Sequence, residues 1–220
     1  MRKIQLVLVA LIVLILSAFK ADHVITIYMI GDSTMSNKPL EGNNQERGWG
    51  HVLGSFFTED VRVENHAMNG RSSKSFIDEG RWETVVNKIR PGDYVFIQFG
   101  HNDEKPQPER HTDPGTTFDE NLRKFVRETR AKGGIPVLFN SIVRRNFGVN
   151  PDAVAADDIR PEKDEAVVEG DTLIDTHGKY LESPRNVAKE MDVCFIDLNQ
   201  ATKKLVESYG VEGSKKLFMW

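Results

Sequence analysis

Cysteine is almost absent: Cys194 is the only one among 220 residues, so no disulfide can form within the chain and its core must be stable without cross-links. A strong charge of either sign is also missing, since 29 Lys+Arg stand against 33 Asp+Glu for a formal net charge of −4. Without a basic field to meet phosphates, nucleic acid is not expected as a partner. The first strand-like run carries neither Gly-x-Gly-x-x-Gly nor a P-loop, which argues against a flavodoxin-like nucleotide binder. The six histidines and the acidic residues show no paired ligand spacing such as His-Glu-x-x-His, so neither a metal nor any other cofactor is expected. Internal repeats, low-complexity blocks and linkers are lacking too, and residues 22–220 read as one domain.

The one long apolar run lies at the start. Arg2 and Lys3 precede an unbroken stretch from Leu6 to Leu16, followed by the small residues Ser17 and Ala18. That is the pattern of a signal peptide over residues 1–20, and the run is short for a membrane span of roughly 20 residues. The expectation is export to the periplasm or the exterior, with an uncleaved N-terminal anchor as the alternative.

Beyond the leader, β-branched runs alternate with helical stretches. Strands are expected over Val24–Ile30, Val61–Glu64, Tyr94–Phe99, Ile135–Asn140 and Val193–Asp197, and helices over Gly50–Phe57, Arg81–Ile89, Phe118–Ala131, Tyr180–Glu190 and Asn199–Tyr209. The alternation predicts an α/β fold, a parallel sheet with helices on both faces. Gly133-Gly134 closes the third helix, and Cys194, inside Val193-Cys194-Phe195-Ile196, is expected to be buried and inert. Two connections, Asn102–Thr117 and Val143–Gly178, follow strands and are too long to be turns. Loops of that kind at the carboxyl edge of a sheet are more often functional than decorative, although Asp152–Asp171 reads equally well as an acidic disordered insertion.

Three strand ends carry polar groups toward one rim. The first runs into Gly31-Asp32-Ser33-Thr34-Met35, where a serine follows a buried strand and a glycine. Alone this is also an ordinary turn or helix cap. The second runs into Asn69-Gly70-Arg71-Ser72-Ser73, a tight turn leading to a helix start, whose amides can face an anion or an oxyanion. The third ends in Gly100-His101-Asn102-Asp103, where Asn102 offers an amide donor. Convergence of the three is the informative observation.

Gly31-Asp32-Ser33, the glycine of Asn69-Gly70-Arg71-Ser72, and Gly100-His101-Asn102-Asp103 resemble, in order, three blocks of the SGNH (GDSL-type) hydrolases. Gly48-Trp49-Gly50, Asn65-His66-Ala67-Met68 and Arg144-Arg145 further resemble the rhamnogalacturonan acetylesterase branch of that superfamily. The resemblance spans about Val24 to Trp220 and implies a flavodoxin-like, three-layer αβα sandwich with a five-stranded parallel sheet. It implies Ser33 as nucleophile, an oxyanion hole built from the N–H groups of Ser33 and Gly70 and the Asn102 side chain, and Arg144 and Arg145 as candidate partners of a uronic-acid carboxylate. Solvated surface arginines are the equally good reading of that last pair, and Asp32 and His101 are expected to hold loops. The activity implied is removal of O-acetyl groups from a plant cell-wall polysaccharide such as rhamnogalacturonan, as in pectin degradation, through an acetyl-serine intermediate. Two alternatives are a related esterase or lipase of small acyl esters, and a non-catalytic carbohydrate-binding domain.

The resemblance also implies a base, an Asp-x-x-His block beyond the fifth strand, yet none occurs between Asp197 and Trp220. Asp175-Thr176-His177 has a different spacing and lies before that strand; His23, His51, His66 and His111 have no better claim. The expectation is a C-terminally truncated copy, lacking the catalytic pair and a final helix over the sheet, and inactive as it stands.

Overall fold

The computed structural model describes residues 24–149 and 169–218. The leader read in residues 1–20 and most of the Asp152–Asp171 stretch lie outside the described residues. Five strands, β1 (Ile25–Gly31), β2 (Val61–Asn65), β3 (Tyr94–Gln98), β4 (Ile135–Phe139) and β7 (Cys194–Ile196), form one parallel sheet in the order β2-β1-β3-β4-β7. All five match expected strands to within a residue or two. An antiparallel pair of β5 (Phe147–Gly148) and β6 (Thr172–Leu173) stands apart; two residues per strand are too few to show a period in sequence. The helices are α1 (Gly50–Leu53), α2 (Ser73–Asp78), α3 (Arg81–Val86), α4 (Thr117–Ala131), α5 (Glu182–Met191) and α6 (Leu198–Gly213).

From Thr26 onward β1 is buried on both faces, which is why it reads as a continuous apolar run rather than an alternating one. Register then sorts side chains by parity. Tyr28 and Ile30 of β1, Val95 and Ile97 of β3, and Leu138 of β4 point to one face. There they meet Phe76 of α2, Trp82 and Val85 of α3, Phe118, Leu122, Phe125 and Val126 of α4, and Val187 and Ala188 of α5. The buried positions of α4 recur at helical spacing, 118, 122, 125, 126 and 129. Gly133, at φ 77, ends that connection with its N–H on Arg130 O. On the other face Ile27, Met29, Val61, Val63, Tyr94 and Phe96 pack with Met35, Ala67, Trp49 and Leu53, the last from α1. Val206 of α6 joins Val143, Phe147 and Leu173 in a small third cluster. Helices on both faces make a three-layer αβα sandwich.

The chain pairs β1 first with β2 on one side and then with β3 on the other. Strand order therefore reverses at β1, and in open α/β sheets the crevice beyond the carboxyl ends at such a point is where ligands bind.

One sequence expectation fails here. Cys194 is exposed, not buried. It lies on the three-residue edge strand β7 opposite Val137, on the same face as Ile196, which is 41% exposed. The apolar cover of that face reaches β4 through Trp49, whose ring lies 5.5 Å from Phe139, and stops short of β7. Cys194 is therefore expected to react with an aromatic disulfide reagent in the native protein about as fast as a small free thiol. Reaction limited by unfolding would contradict this placement.

Candidate active site

The turn after β1 is set by a close approach. A Cβ on Gly31 would lie 2.5 Å from Gln98 O and 2.9 Å from Met35 Sδ, so only glycine lets β1 lie this near β3. Asp32, fully buried, then folds the chain over itself. Its Oδ1 accepts from Thr34 N at 2.9 Å and Thr34 Oγ1 at 2.7 Å, and its carbonyl accepts from Met35 N and Ser36 N. Gln98 Nε2 donates to Thr34 Oγ1 at 2.7 Å, while Gln98 Oε1 accepts from Trp49 Nε1 at 2.6 Å. Ser33, half-buried at the crest, is thus held from both sides. Among the described residues neither its N–H nor its hydroxyl donates to another group.

The loop after β2 lies against this turn, with Met68 N on Gly31 O at 2.9 Å and Asn65 Nδ2 on Met35 O at 2.8 Å. Gly70 has φ 73 with open space where a Cβ would stand. The backbone conformation, not crowding, favours glycine there. Its N–H has no acceptor among the described residues. Ser72 then caps α2 in a reciprocal box with Ser75, a helix of six residues of which the sequence showed only the start.

The loop after β3 joins both. Asn102, 7% exposed, donates from Nδ2 to Arg71 O at 3.2 Å and accepts at Oδ1 from Arg110 Nη1 at 3.3 Å. An amide nitrogen has two hydrogens, so the second remains for a ligand. Asp103, fully buried, gathers the Ser73 N–H (3.0 Å), the Ser73 hydroxyl (2.5 Å) and the Thr112 hydroxyl (3.0 Å) on Oδ1, and the Gly100 N–H (3.1 Å) on Oδ2. One carboxyl group therefore fastens the loops bearing Gly70 and Asn102 to each other.

A second set of groups, read from the sequence only as loop supports or an ill-spaced alternative, also meets here. Asp32 Oδ2 lies 3.7 Å from His101 Nδ1. His101 Nε2 faces His177 Nε2 at 3.4 Å, with the rings edge-on at 4.6 Å, and His177 Nδ1 lies 3.3 Å from Asp175 Oδ1. Asp175 and His177 do form an oriented carboxylate–imidazole pair, and it leads to His101 and Asp32. No histidine among the described residues hydrogen-bonds the Ser33 hydroxyl. Burial pushes Asp32 up to about 6, against the Thr34 hydrogen bonds and the charges of Arg144 and Lys38. Burial likewise pushes Asp103 up to about 7, against the Ser73 and Thr112 hydrogen bonds and with help from the charge of Asp32.

The two arginines part company. Arg144 stands beside this rim, on Thr176 Oγ1 at 2.8 Å and in an ion pair with Glu104. Arg145 turns inward at 5% exposure, donating to Ser214 Oγ (3.1 Å) and Val211 O (2.7 Å) with its guanidinium 5.8 Å above the Phe147 ring. Both readings of the pair, uronate partners or solvated surface arginines, are corrected at Arg145, whose donors and flat face hold α6 to the β5–β6 pair.

Asp103→Ala strands two N–H groups and two hydroxyls in the interior and is expected to cost about 3 kcal/mol in urea unfolding. A loss under about 1 kcal/mol would show that the site does not depend on it. The Asp103 pKa in the folded chain, about 7, lies above the reference value of 3.8. Its contribution is therefore fully present below about pH 4 and lost as pH rises through about 7. The stability of the parent relative to Asp103→Asn is expected to fall over that window, and a flat or rising difference would contradict the shift.

Known proteins resemble the chain in both sequence and fold. Residues 29–210 match the model of the GDSL-like Lipase/Acylhydrolase family. The rhamnogalacturonan acetylesterase RhgT of Bacillus subtilis is 40% identical over 196 residues, 89% of this chain and 74% of that protein. The probable rhamnogalacturonan acetylesterase YesY of the same organism is 32% identical over 200 residues, 90% of this chain and 80% of that one. Among solved structures, Bacillus subtilis YxiM superposes with a TM-score of 0.69 at 26% identity, covering 89% of this chain but only 49% of that one. The esterase EstA of Pseudoalteromonas shares the fold at a TM-score of 0.53 and 16% identity, over 87% of this chain and 97% of that one. Motifs, fold and relatives together establish that the chain belongs to the GDSL-like lipase/acylhydrolase family, a family of carboxylic ester hydrolases.

Proposed function

We propose that the chain removes O-acetyl groups from a plant cell-wall polysaccharide of the rhamnogalacturonan type, with Ser33 as nucleophile and an acetyl-Ser33 intermediate. The observation that carries this reading is that Ser33, Gly70 and Asn102 follow the carboxyl ends of β1, β2 and β3 at one rim, with the backbone N–H groups of Ser33 and Gly70 lacking acceptors among the described residues. Two relatives of 32–40% identity are named for rhamnogalacturonan acetyl esters, which supports the choice of acyl group and polymer. Export, read from the leader, suits a polymeric substrate that does not enter cells.

In this mechanism Ser33 Oγ attacks the acetyl carbonyl carbon and gives its proton to water, since no histidine among the described residues hydrogen-bonds the hydroxyl. The carbon–oxygen bond to the sugar breaks, and the sugar oxygen departs with a proton. Water then releases acetate from Ser33. Negative charge on the acyl oxygen meets the Ser33 N–H, the Gly70 N–H and the second Asn102 hydrogen, donors fixed beforehand by Asp32, the left-handed turn and Arg71 O. Such a donor typically lowers the barrier by ~3 kcal/mol. Arg144, whose guanidinium pairs with Glu104 at the same rim, is read as the cation that would meet a uronate carboxylate of the polymer.

p-Nitrophenyl acetate, whose leaving group departs without protonation, tests the acetyl-transfer half. Acetylation of Ser33, followed by intact-mass measurement, is expected in the parent and abolished in Ser33→Ala. Asn102→Ala should slow it about a hundredfold. Undiminished acetyl transfer in Ser33→Ala would refute the nucleophile. Faster reaction with long acyl chains than with acetyl would favour the lipase-like alternative.

A further inference from the structure

The Gly70 N–H belongs to the peptide plane that begins at Asn69, so whatever fixes Asn69 fixes the direction of that donor. Asn69 is held at two places. Its carbonyl accepts from Arg71 Nη1 at 3.0 Å, and in a trans peptide the following N–H points away from that carbonyl. Its side-chain Oδ1 accepts two donors from the loop after β1, Lys38 Nζ at 2.7 Å and Ser36 Oγ at 2.6 Å. Lys38 itself is not a loose surface cation. Its side chain is 7% exposed, its ammonium lies 3.8 Å from Glu46 Oε2, and its backbone N–H meets His51 Nδ1 at 3.2 Å.

Of the contacts that join these two loops, those of Met68 to Gly31 and Asn65 to Met35 lie before the Asn69 turn. They hold the strand ends together but do not touch Asn69, whose turn is closed at its ends by Arg71 N on Met68 O at 3.3 Å. The Lys38 and Ser36 bonds reach the turn itself, one residue before the donor. Ser33 and Lys38 share one loop, so the same segment carries the nucleophile and grips the peptide that would stabilise its oxyanion.

We propose that Lys38 is a positioning residue which, through Asn69 Oδ1, orients the Gly70 N–H toward the acyl oxygen held at Ser33. The inference rests on the reading of Ser33 and Gly70 given above. A neutral donor such as Ser36 can make one of the two bonds. The ammonium adds a charge-assisted bond of roughly twice the strength, and its three hydrogens keep one on Asn69 while others face Glu46.

Two measurements test it. With p-nitrophenyl acetate, Lys38→Met and Asn69→Ala are each expected to lower kcat about tenfold with KM unchanged. The double variant should be no slower than either single one, because both remove one device. Lys38→Arg, which keeps a cationic donor, should recover most of the rate. Additive losses, or losses carried by KM, would overturn the proposal. The second measurement needs no turnover: the Gly70 amide cross-peak in a ¹H–¹⁵N spectrum should move and broaden in Lys38→Met and stay near its parent position in Lys38→Arg, within otherwise superimposable spectra. A Gly70 peak unmoved in Lys38→Met would overturn the proposal even if Ser33 is the nucleophile. A moved peak in a chain without Ser33-dependent acetyl transfer would instead sustain the positioning and remove the esterase reading.

Discussion

Everything at this rim depends on holding the loops after β1, β2 and β3 against one another, and the buried carboxyl of Asp103 is the group that ties the last two together. It gathers the first residue of α2, the second residue after β3 and the Thr112 hydroxyl. The Gly70 turn and Asn102 thereby become parts of one rigid piece. Burying a carboxyl group is unfavourable unless hydrogen bonds compensate, and here four donors converge on it. The pairing of β1 with β3, permitted by the missing side chain at Gly31, then sets that piece against the Ser33 turn.

A second line of polar contacts runs across the rim. From Trp49 it passes through Gln98 and Thr34 to Asp32, and from Asp32 through His101 and His177 to Asp175. Asp32 stands at the centre, immediately before Ser33. Its two oxygens look in opposite directions, one fixing the serine turn and the other facing the histidines. The segment from Asp175 to His177 is thus part of the wall of the site, although it precedes the last strand in sequence.

The sheet was legible because strands buried on both faces are short apolar runs separated by helical periodicity, and Val95, Ile97, Val137 and Leu138 announce their elements directly. The rim was legible where a motif ends a strand: Gly31 to Ser33, Gly70 and Asn102 follow β1, β2 and β3 in turn. What stayed hidden depends on distance in sequence. Nothing local says that His177 meets His101 or that Lys38 reaches Asn69, and both arginines of the 144–145 pair look alike until the backbone sends Arg145 beneath α6. Gln98 did leave a signal, a lone amide in an otherwise apolar strand, which is seldom buried without partners. Cys194 misled because an apolar strand at the edge of a sheet reads the same as one at its centre.

The central claim is that Ser33, Gly70 and Asn102 address a single acyl oxygen. Its most direct test is the crystal structure of the chain after reaction with a methylphosphonate ester, which leaves a tetrahedral mimic of the acetyl intermediate on the serine. Phosphorus is expected on Ser33 Oγ, with one phosphoryl oxygen about 3 Å from the Ser33 nitrogen, the Gly70 nitrogen and Asn102 Nδ2 together. An adduct on another residue, or a phosphoryl oxygen turned away from any of these three donors, would contradict it.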